Sequence, residues 1–169
     1  MVREIRYNLP VRLCAEAVPF LMGFGMINSI IYNYNADYLL GDIVFTAMLF
    51  FVWYIMHFSF LPNTKTILTD TDIRQMLIIK IGPWQIVNRV KIIKWNDVDS
   101  FERILWAGYY SGYRIFGKSN LGRYSLIVLN SAISTFNEDD RQFSINNLPN
   151  SKIDKSAQKE IVKSKIFKI

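Results

Sequence analysis

Apolar stretches near the start of this sequence contain three ionisable side chains, Glu16, Asp42 and His57. Ionisable groups are costly inside a membrane and often mark proton relays or ion paths. If the stretches form a helical hairpin, Glu16 and His57 lie at a similar depth, because each is about one helical turn from the same end. Asp42 then lies near the opposite surface, and two helices enclose no pore. The alternative, which we favour, is that these side chains snorkel to the headgroups or pair with a partner subunit.

The two stretches that hold these residues are long enough to cross a membrane. Residues 13–32 and residues 38–61 each contain a single carboxylate, and a spanning helix needs roughly 20 mostly apolar residues. A cleaved signal peptide would have a shorter apolar region and would not be followed at once by a second span. Only residues 33–37 separate the stretches. We therefore predict a tight transmembrane hairpin within residues 1–62.

Small residues give the first stretch a surface that another helix can approach closely. Gly23, Gly25 and Ser29 lie near one another, and the last two have the small-xxx-small spacing that favours close helix packing in membranes. We predict that the second stretch of the same chain packs against this surface. A helix of a different protein is the alternative.

Basic residues are distributed unevenly along the chain. Residues 1–62 hold three arginines and four carboxylates, whereas residues 63–169 hold 17 Lys and Arg against 10 Asp and Glu. The connection at residues 33–37 has no Lys or Arg. Positive residues flanking membrane spans stay on the cytoplasmic side. We therefore predict an integral membrane protein with both termini in the cytoplasm.

The cysteine and histidine content limits the chemistry that this chain can perform. Cys14 is the only cysteine and His57 the only histidine. A disulfide within the chain and a cysteine-rich zinc site both need further thiols, and histidine-based metal cages need further imidazole groups. The glycines fit neither a P-loop nor a dinucleotide-binding spacing. We expect no catalytic residues, no metal and no cofactor.

From residue 63 onward the pattern changes to short runs in which apolar and polar residues alternate, which is typical of strands. The predicted strands are 64–68, 73–81, 85–93, 98–106, 123–129, 132–137 and 141–147. A last stretch, about 151–168, places its apolar side chains on one face of a helix. We therefore predict that residues 63–169 form a small all-β domain, a seven-stranded sandwich or barrel, with a closing amphipathic helix.

Four segments of this region follow a known order. They are "TKTILTDTDI" just after the second span, "VKIIKWNDVDSFE" in the middle strands, "WAGYYSGYRIFG", and "RYSLIVLNSAISTFNEDDRQFSINNLPN" leading into the last helix. In this order the chain resembles the bacterial pleckstrin-homology-like (PH-like) domains of small membrane proteins, over roughly residues 63–165. The resemblance implies a non-enzymatic binding or assembly module, often joined to a pair of transmembrane helices, in a bacterial inner membrane.

A glycine-rich loop with several aromatic residues is predicted at residues 106–123. Exposed aromatic side chains on such a loop suit a contact with a partner protein or insertion at the membrane interface. Alternatively, the rings fold back over an open sheet edge. The partner-binding candidates are Trp106, Tyr109, Tyr110, Tyr113 and Phe116.

Lysines dominate the polar face of the predicted closing helix. Near an anionic leaflet each basic residue contributes about 1 kcal/mol to membrane association, although an ordinary solvated face is the alternative. The candidates for binding anionic lipid are Lys152, Lys155, Lys159 and Lys163. The positive charge alone also suits nucleic acid, but two membrane spans argue against that partner.

These features predict a non-enzymatic, membrane-anchored assembly or scaffold subunit of a larger membrane complex. Its expected partners are the lipid bilayer and either other subunits or further copies of the same chain. Two alternatives stay open. One is a lipid-sensing module that reads anionic headgroups through the basic helix, and the other is an ion- or proton-handling subunit that uses Glu16 and His57.

Overall fold

The computed structural model describes residues 2–32, 38–106, 109–122 and 124–154, with the backbone alone at 106, 109–111 and 150. The chain divides into two compact units. The helical unit comprises Leu9–Thr64 and Leu77–Asn88, and the sheet unit comprises the remaining described residues. The first residues of the chain therefore belong to the sheet unit, and residues 77–88, where β3 and β4 meet, belong to the helical unit.

Two long apolar helical stretches form most of the helical unit. Helix α1 spans Leu9–Tyr32. The second stretch, Leu39–Asn63, consists of helix α2, Leu39–Ile55, a π-helical segment, Met56–Phe60, and a last turn. Both stretches are long and apolar enough to cross a membrane, and only 11% and 6% of their most apolar windows are buried. A core helix of a soluble protein would be mostly buried, so these surfaces need another apolar environment. The predicted pair of apolar helices is confirmed.

Aromatic rings hold the two helices together. Phe50 of α2 lies beside Phe20 and Phe24 of α1, with ring centroids 6.0 Å and 6.1 Å apart. Trp53 lies 5.3 Å from Phe20 in the same measure. Gly23 leaves room for this contact, since a Cβ atom there would lie only 3.0 Å from Cε2 of Phe50. The helices therefore pack closely through one small residue and a cluster of rings.

Seven strands of the described residues form two antiparallel sheets, with the orders β1-β2-β3-β4 and β5-β6-β7. The bounds are Val2–Arg6, Lys65–Thr69, Asp72–Ile81 and Trp84–Lys94 in the first sheet, and Val98–Trp106, Tyr109–Lys118 and Tyr124–Asn130 in the second. The predicted small sheet-rich region after the helices is confirmed. The predicted barrel is not, because the two sheets are not joined into a closed ring of strands.

Alternation along the strands produces the core of the sheet unit. On β7, Ser125, Ile127 and Leu129 are buried, and the residues between them are exposed. Trp95 ties this core to the first sheet, because its indole N–H donates to the carbonyl of Thr69 at 2.8 Å. The core comprises Ile5, Leu68, Ile73, Ile93, Trp95, Val98, Phe101, Tyr113, Ile115, Ile127, Leu129, Phe136, Ile145, Leu148 and Ile153.

A polar network closes the turn between β2 and β3. The carboxylate of Asp72 accepts from the guanidinium of Arg74 at 2.7 Å and 3.0 Å and from the hydroxyl of Thr69 at 3.0 Å. The hydrogen bond from Arg74 lowers the pKa of Asp72 despite the opposing effect of burial. This turn therefore favours the ionised carboxylate.

Residues 138–146 form a helix where the sequence predicts an acidic turn and a strand. Helix α3 spans Glu138–Asn146. The side chain of Asn137 accepts from the backbone N–H of Asp140, whose carboxylate accepts from the backbone N–H of Asn137. This capping box and the acidic first turn stabilise the helix start. The predicted strands 132–137 and 141–147 are therefore wrong. Over so few residues, alternation of apolar and polar side chains cannot distinguish a strand from a short amphipathic helix.

Three other elements differ from expectation. The predicted loop at residues 106–123 is largely strand β6, since its aromatic residues favour a strand despite the glycines. Strand β1, which precedes the helices, is not predicted, yet it pairs with β2 from Val2↔Thr69 to Arg6↔Lys65. Residues Asn150–Lys152 form a 3₁₀ turn. The rest of the predicted closing helix, from residue 155, lies outside the described residues.

Candidate functional site

The second sheet has an apolar face that points away from the core. On β7, burial of Ile127 and Leu129 places Leu126 and Val128 on the opposite side, because side chains alternate along a strand. Contiguous exposed apolar side chains mark interaction surfaces. We call this surface the outer face and define it by the exposed residues Leu105, Phe116, Tyr124, Leu126 and Val128.

Strand register and a ring contact place four of these side chains, Phe116, Tyr124, Leu126 and Val128, next to one another. Phe116 on β6 lies opposite Leu126 on β7. The ring of Phe116 also stacks on that of Tyr124, with centroids 5.3 Å apart and planes at 12°. Val128 lies opposite Arg114. The apolar surface is therefore continuous across two strands and ends beside a cation.

A groove of about 640 Å³ lies on this surface. Its lining includes Arg103, Ile104, Leu105, Arg114, Leu126 and Val128. The guanidinium of Arg114 donates to Glu102 at 2.5 Å, yet 57% of the Arg114 side chain is exposed. Because a guanidinium carries five N–H donors, one carboxylate partner leaves others available. The groove therefore suits an apolar segment that also presents a carboxylate.

The structure places the predicted partner-binding residues on strands rather than on a loop. Trp106 ends β5, and Tyr109, Tyr110, Tyr113 and Phe116 belong to β6. The side chains of Trp106, Tyr109 and Tyr110 lie outside the described part of the structure. Phe116 contributes to the outer face, whereas Tyr113 is only 4% exposed.

Tyr113 is a core residue. Its ring stacks on Phe101, with centroids 4.6 Å apart and planes at 17°. Phe136 approaches the same ring edge-on at 6.1 Å. Tyr113 therefore offers no surface to a partner, and its place in the alternation of β6 explains why.

The helical unit brings Glu16 and His57 together. The Oε2 atom of Glu16 lies 2.9 Å from Nδ1 of His57, and their side chains are 21% and 42% exposed. His57 also stacks on Trp53, with centroids 5.7 Å apart and planes at 17°. It belongs to the π-helical segment, Met56–Phe60, and such irregularities in helices are frequent at functional sites. Two ionisable groups thus form one polar contact between the helices.

Asp42, the third predicted intramembrane residue, is remote from that pair. It lies in the first turn of α2, whereas His57 lies near the far end of the same helical stretch. Its backbone carbonyl accepts from the hydroxyl of Thr46 at 2.7 Å. A continuous relay through all three residues is therefore not assembled by the described helices.

The three predicted helix-packing residues have different surroundings. Gly23 is buried against Phe50 of the same chain. A Cβ atom at Gly25 would meet no atom within 4 Å, and Ser29 is exposed. Gly23 thus serves the hairpin itself, and the surface at Gly25 and Ser29 stays open to a second helix.

The predicted lipid-binding lysines lie mostly outside the described residues. Lys152 is described, and its Nζ atom donates to the backbone carbonyl of Asn96 at 2.6 Å. Lys155, Lys159 and Lys163 lie beyond residue 154. Among the described residues no group of three or more His, Cys, Asp or Glu side chains could hold a metal ion.

No model of a known protein family matches this sequence, and no curated protein gives a significant match.

The sequence of β7 itself indicates that the outer face is apolar. In "SLIVL", residues 125–129, apolar side chains follow one another without alternation, so both sides of the strand are apolar. Strands of parallel sheets show this pattern because both of their faces are covered, whereas an antiparallel sheet with one solvated face commonly has polar residues on it. Here Leu126 and Val128 are 46% and 40% exposed, which identifies a surface that needs a cover.

Proposed function

We propose that this protein is a non-enzymatic, membrane-anchored assembly subunit that docks an acidic, apolar segment of a partner protein on the outer face. The observation that carries the proposal is the continuous apolar surface around Phe116, Leu126 and Val128, bordered by Arg114. Burying apolar area stabilises a complex by about 25 cal/mol per Å² before the costs of association. The guanidinium adds a charge-assisted contact that selects for a carboxylate.

In this proposal the two helical stretches cross a bacterial inner membrane and both termini are cytoplasmic. The exposed apolar helix surfaces support the anchoring. The pairing of β1 with β2 supports the proposal that both ends of the helical hairpin lie on the same side of the membrane. Strand β1 precedes α1, and β2 follows the second helical stretch. The basic excess after residue 62 supports the cytoplasmic assignment.

We assign the sheet unit to the PH-like class of binding domains. Seven strands in two antiparallel sheets around one core support this assignment. The resemblance implies a non-enzymatic binding or assembly module, and the outer face is the surface through which we propose that this module acts.

Charge decides between the possible occupants of the outer face. The C-terminal segment of the same chain, residues 155–169, carries five lysines and one glutamate. That segment would bring its lysines beside the exposed guanidinium of Arg114, which has the same sign of charge. An acidic partner segment meets this guanidinium with the opposite sign, so it is the occupant we propose.

Photo-crosslinking from the outer face tests this proposal. A photoreactive amino acid at Val128 in the membrane-embedded full chain is expected to trap a peptide of a different protein that has apolar residues and a net negative charge. Val2, a 71% exposed valine on the first sheet, is the matched control position and is expected to trap no such peptide.

Every other product of that crosslink contradicts the proposal. A product with residues 155–169 of the same chain would identify the tail as the cover, and a product between two copies would identify a homo-oligomer. A lipid adduct would identify the membrane as the occupant. If Val128 and Val2 trapped the same peptide to the same extent, the outer face would not be the docking site.

The contact between Glu16 and His57 favours a second candidate function, an ion- or proton-handling subunit. The two groups are within hydrogen-bond distance at 2.9 Å and can exchange a proton. A path across the membrane would need further groups from a partner helix, since Asp42 lies at the other end of the hairpin. Glu16→Gln or His57→Ala is then expected to abolish transport by the assembled complex without loss of assembly, whereas the docking function predicts unchanged transport.

A further inference from the structure

We infer that the turn between β3 and β4 inserts into the lipid headgroup region, where it acts as a third membrane contact beside the two helices. The occupant of this surface is the bilayer itself, on the side where the helical stretch Leu39–Asn63 ends. The inference rests on the proposed membrane anchoring and adds to it a binding surface for lipid within the strands.

The turn presents an unusual pair of exposed side chains. Trp84 is 73% exposed and Ile86 is 60% exposed, and they lie two residues apart on the same side of β4. Gly82 has a φ of 56°, a conformation that suits glycine, and with Pro83 it makes a tight connection between the strands. The tip is therefore narrow, and large exposed apolar side chains lie beside it.

One hydrogen bond ties the turn to the end of the membrane helix. The hydroxyl of Ser59 donates to the backbone carbonyl of Lys80, close to the turn on β3. Ser59 itself is 2% exposed. Residues 77–88 belong to the same compact unit as the helices, and this hydrogen bond places Lys80 beside the helix end.

The depth of Ser59 follows from helix geometry. The stretch Leu39–Asn63 has 25 residues, which at a rise of 1.5 Å per residue is about 37 Å, compared with a hydrocarbon core of about 30 Å. Ser59 lies four residues before Asn63, or about 6 Å from the helix end. If the helix is centred, Ser59 and the Lys80 carbonyl lie within about 3 Å of the hydrocarbon boundary.

The side chains at the turn match the chemistry of that depth. An indole ring is apolar with one N–H donor, which is why tryptophan concentrates at membrane interfaces. Ile86 supplies an aliphatic group for the acyl boundary. The ammonium group of Lys80, on an exposed side chain, can meet lipid phosphates. In water the two large apolar groups would have no cover among the described residues.

Spin labelling in nanodiscs of phosphatidylcholine and phosphatidylglycerol tests the inference. With Cys14 replaced by serine, single cysteines replace Ile86 at the turn, Met48 in the middle of α2, and Asp139 in the first turn of α3. We expect the spin label at 86 to be accessible to oxygen, and its accessibility to a water-soluble nickel complex to be several-fold reduced. The label at 48 should be shielded more strongly, and the label at 139 should be fully accessible.

The three positions separate the possible failures. Full nickel accessibility at 86 with strong shielding at 48 overturns the inference and leaves the anchoring intact. Full accessibility at both positions overturns the anchoring as well. Tryptophan fluorescence provides a second measurement without cysteines. Lipids brominated near the headgroup are expected to quench the wild type more than Trp84→Phe, and equal quenching would contradict insertion.

Discussion

Substitution of two neighbouring residues of β7 is expected to change the stability of the protein by very different amounts. Ile127 is 0% exposed and Val128 is 40% exposed. Ile127→Ala removes buried carbon atoms and leaves a cavity, so it is expected to lower the free energy of unfolding by about 2–5 kcal/mol. Val128→Ala removes atoms that already contact solvent and is expected to change that free energy by less than about 0.5 kcal/mol.

Urea unfolding of the full chain in nanodiscs, followed by tryptophan fluorescence, measures both changes. Trp95 reports on the sheet core, because it is 3% exposed within the same cluster as Ile127. A one-residue shift in strand register would exchange the two faces of β7. Equal losses of stability, or a larger loss for Val128→Ala, would therefore refute the assignment of the outer face.

Two further predictions concern local polar contacts. Because the pKa of Asp72 is lower in the folded chain than its usual value of 3.8, the stabilisation from its carboxylate is complete above pH 3.8 and disappears as the pH falls through the folded pKa. Asp72→Asn should therefore have a lower urea midpoint than the wild type near neutral pH. In strong acid the two proteins should have similar midpoints, and a constant difference at all pH values would contradict this. Asn137→Ala removes the cap of α3 and should cost about 1 kcal/mol in urea unfolding, whereas Asn137→Asp should retain most of that stability, and an equal loss in both variants would contradict the capping role.

Helix and sheet content could be predicted where a pattern extends over many residues. Two apolar stretches of 20 and 24 residues predict two long apolar helices, and β3 to β5 follow runs of alternating residues. The pattern fails where it is short. Strand β1 has five residues beside an apolar helix, and its assignment depends on a partner about 60 residues away in the sequence, Lys65–Thr69. Helix α3 depends on one capping box, which the alternation of neighbouring residues obscures.

The candidate surfaces could be predicted only in part. The similar depth of Glu16 and His57 follows from their distances to the ends of two helices, but their contact depends on helix rotation, to which the π-helical segment Met56–Phe60 contributes. The aromatic residues of β6 divide between the two sides of the strand, so Phe116 reaches the outer face and Tyr113 enters the core. Composition alone cannot show which of these aromatic residues are buried, because their burial depends on which side of the sheet faces the core.

Docking on the outer face can be measured as the affinity of the full chain in nanodiscs for the partner segment recovered by crosslinking. Val128→Asp places a carboxylate on the outer face beside the acidic segment, and Val2→Asp makes the same chemical change on the other sheet. Docking there predicts at least a tenfold rise in Kd, which corresponds to about 1.4 kcal/mol, for Val128→Asp and no change for Val2→Asp. Equal affinity of both variants and the wild type would show that the partner segment does not bind to the outer face.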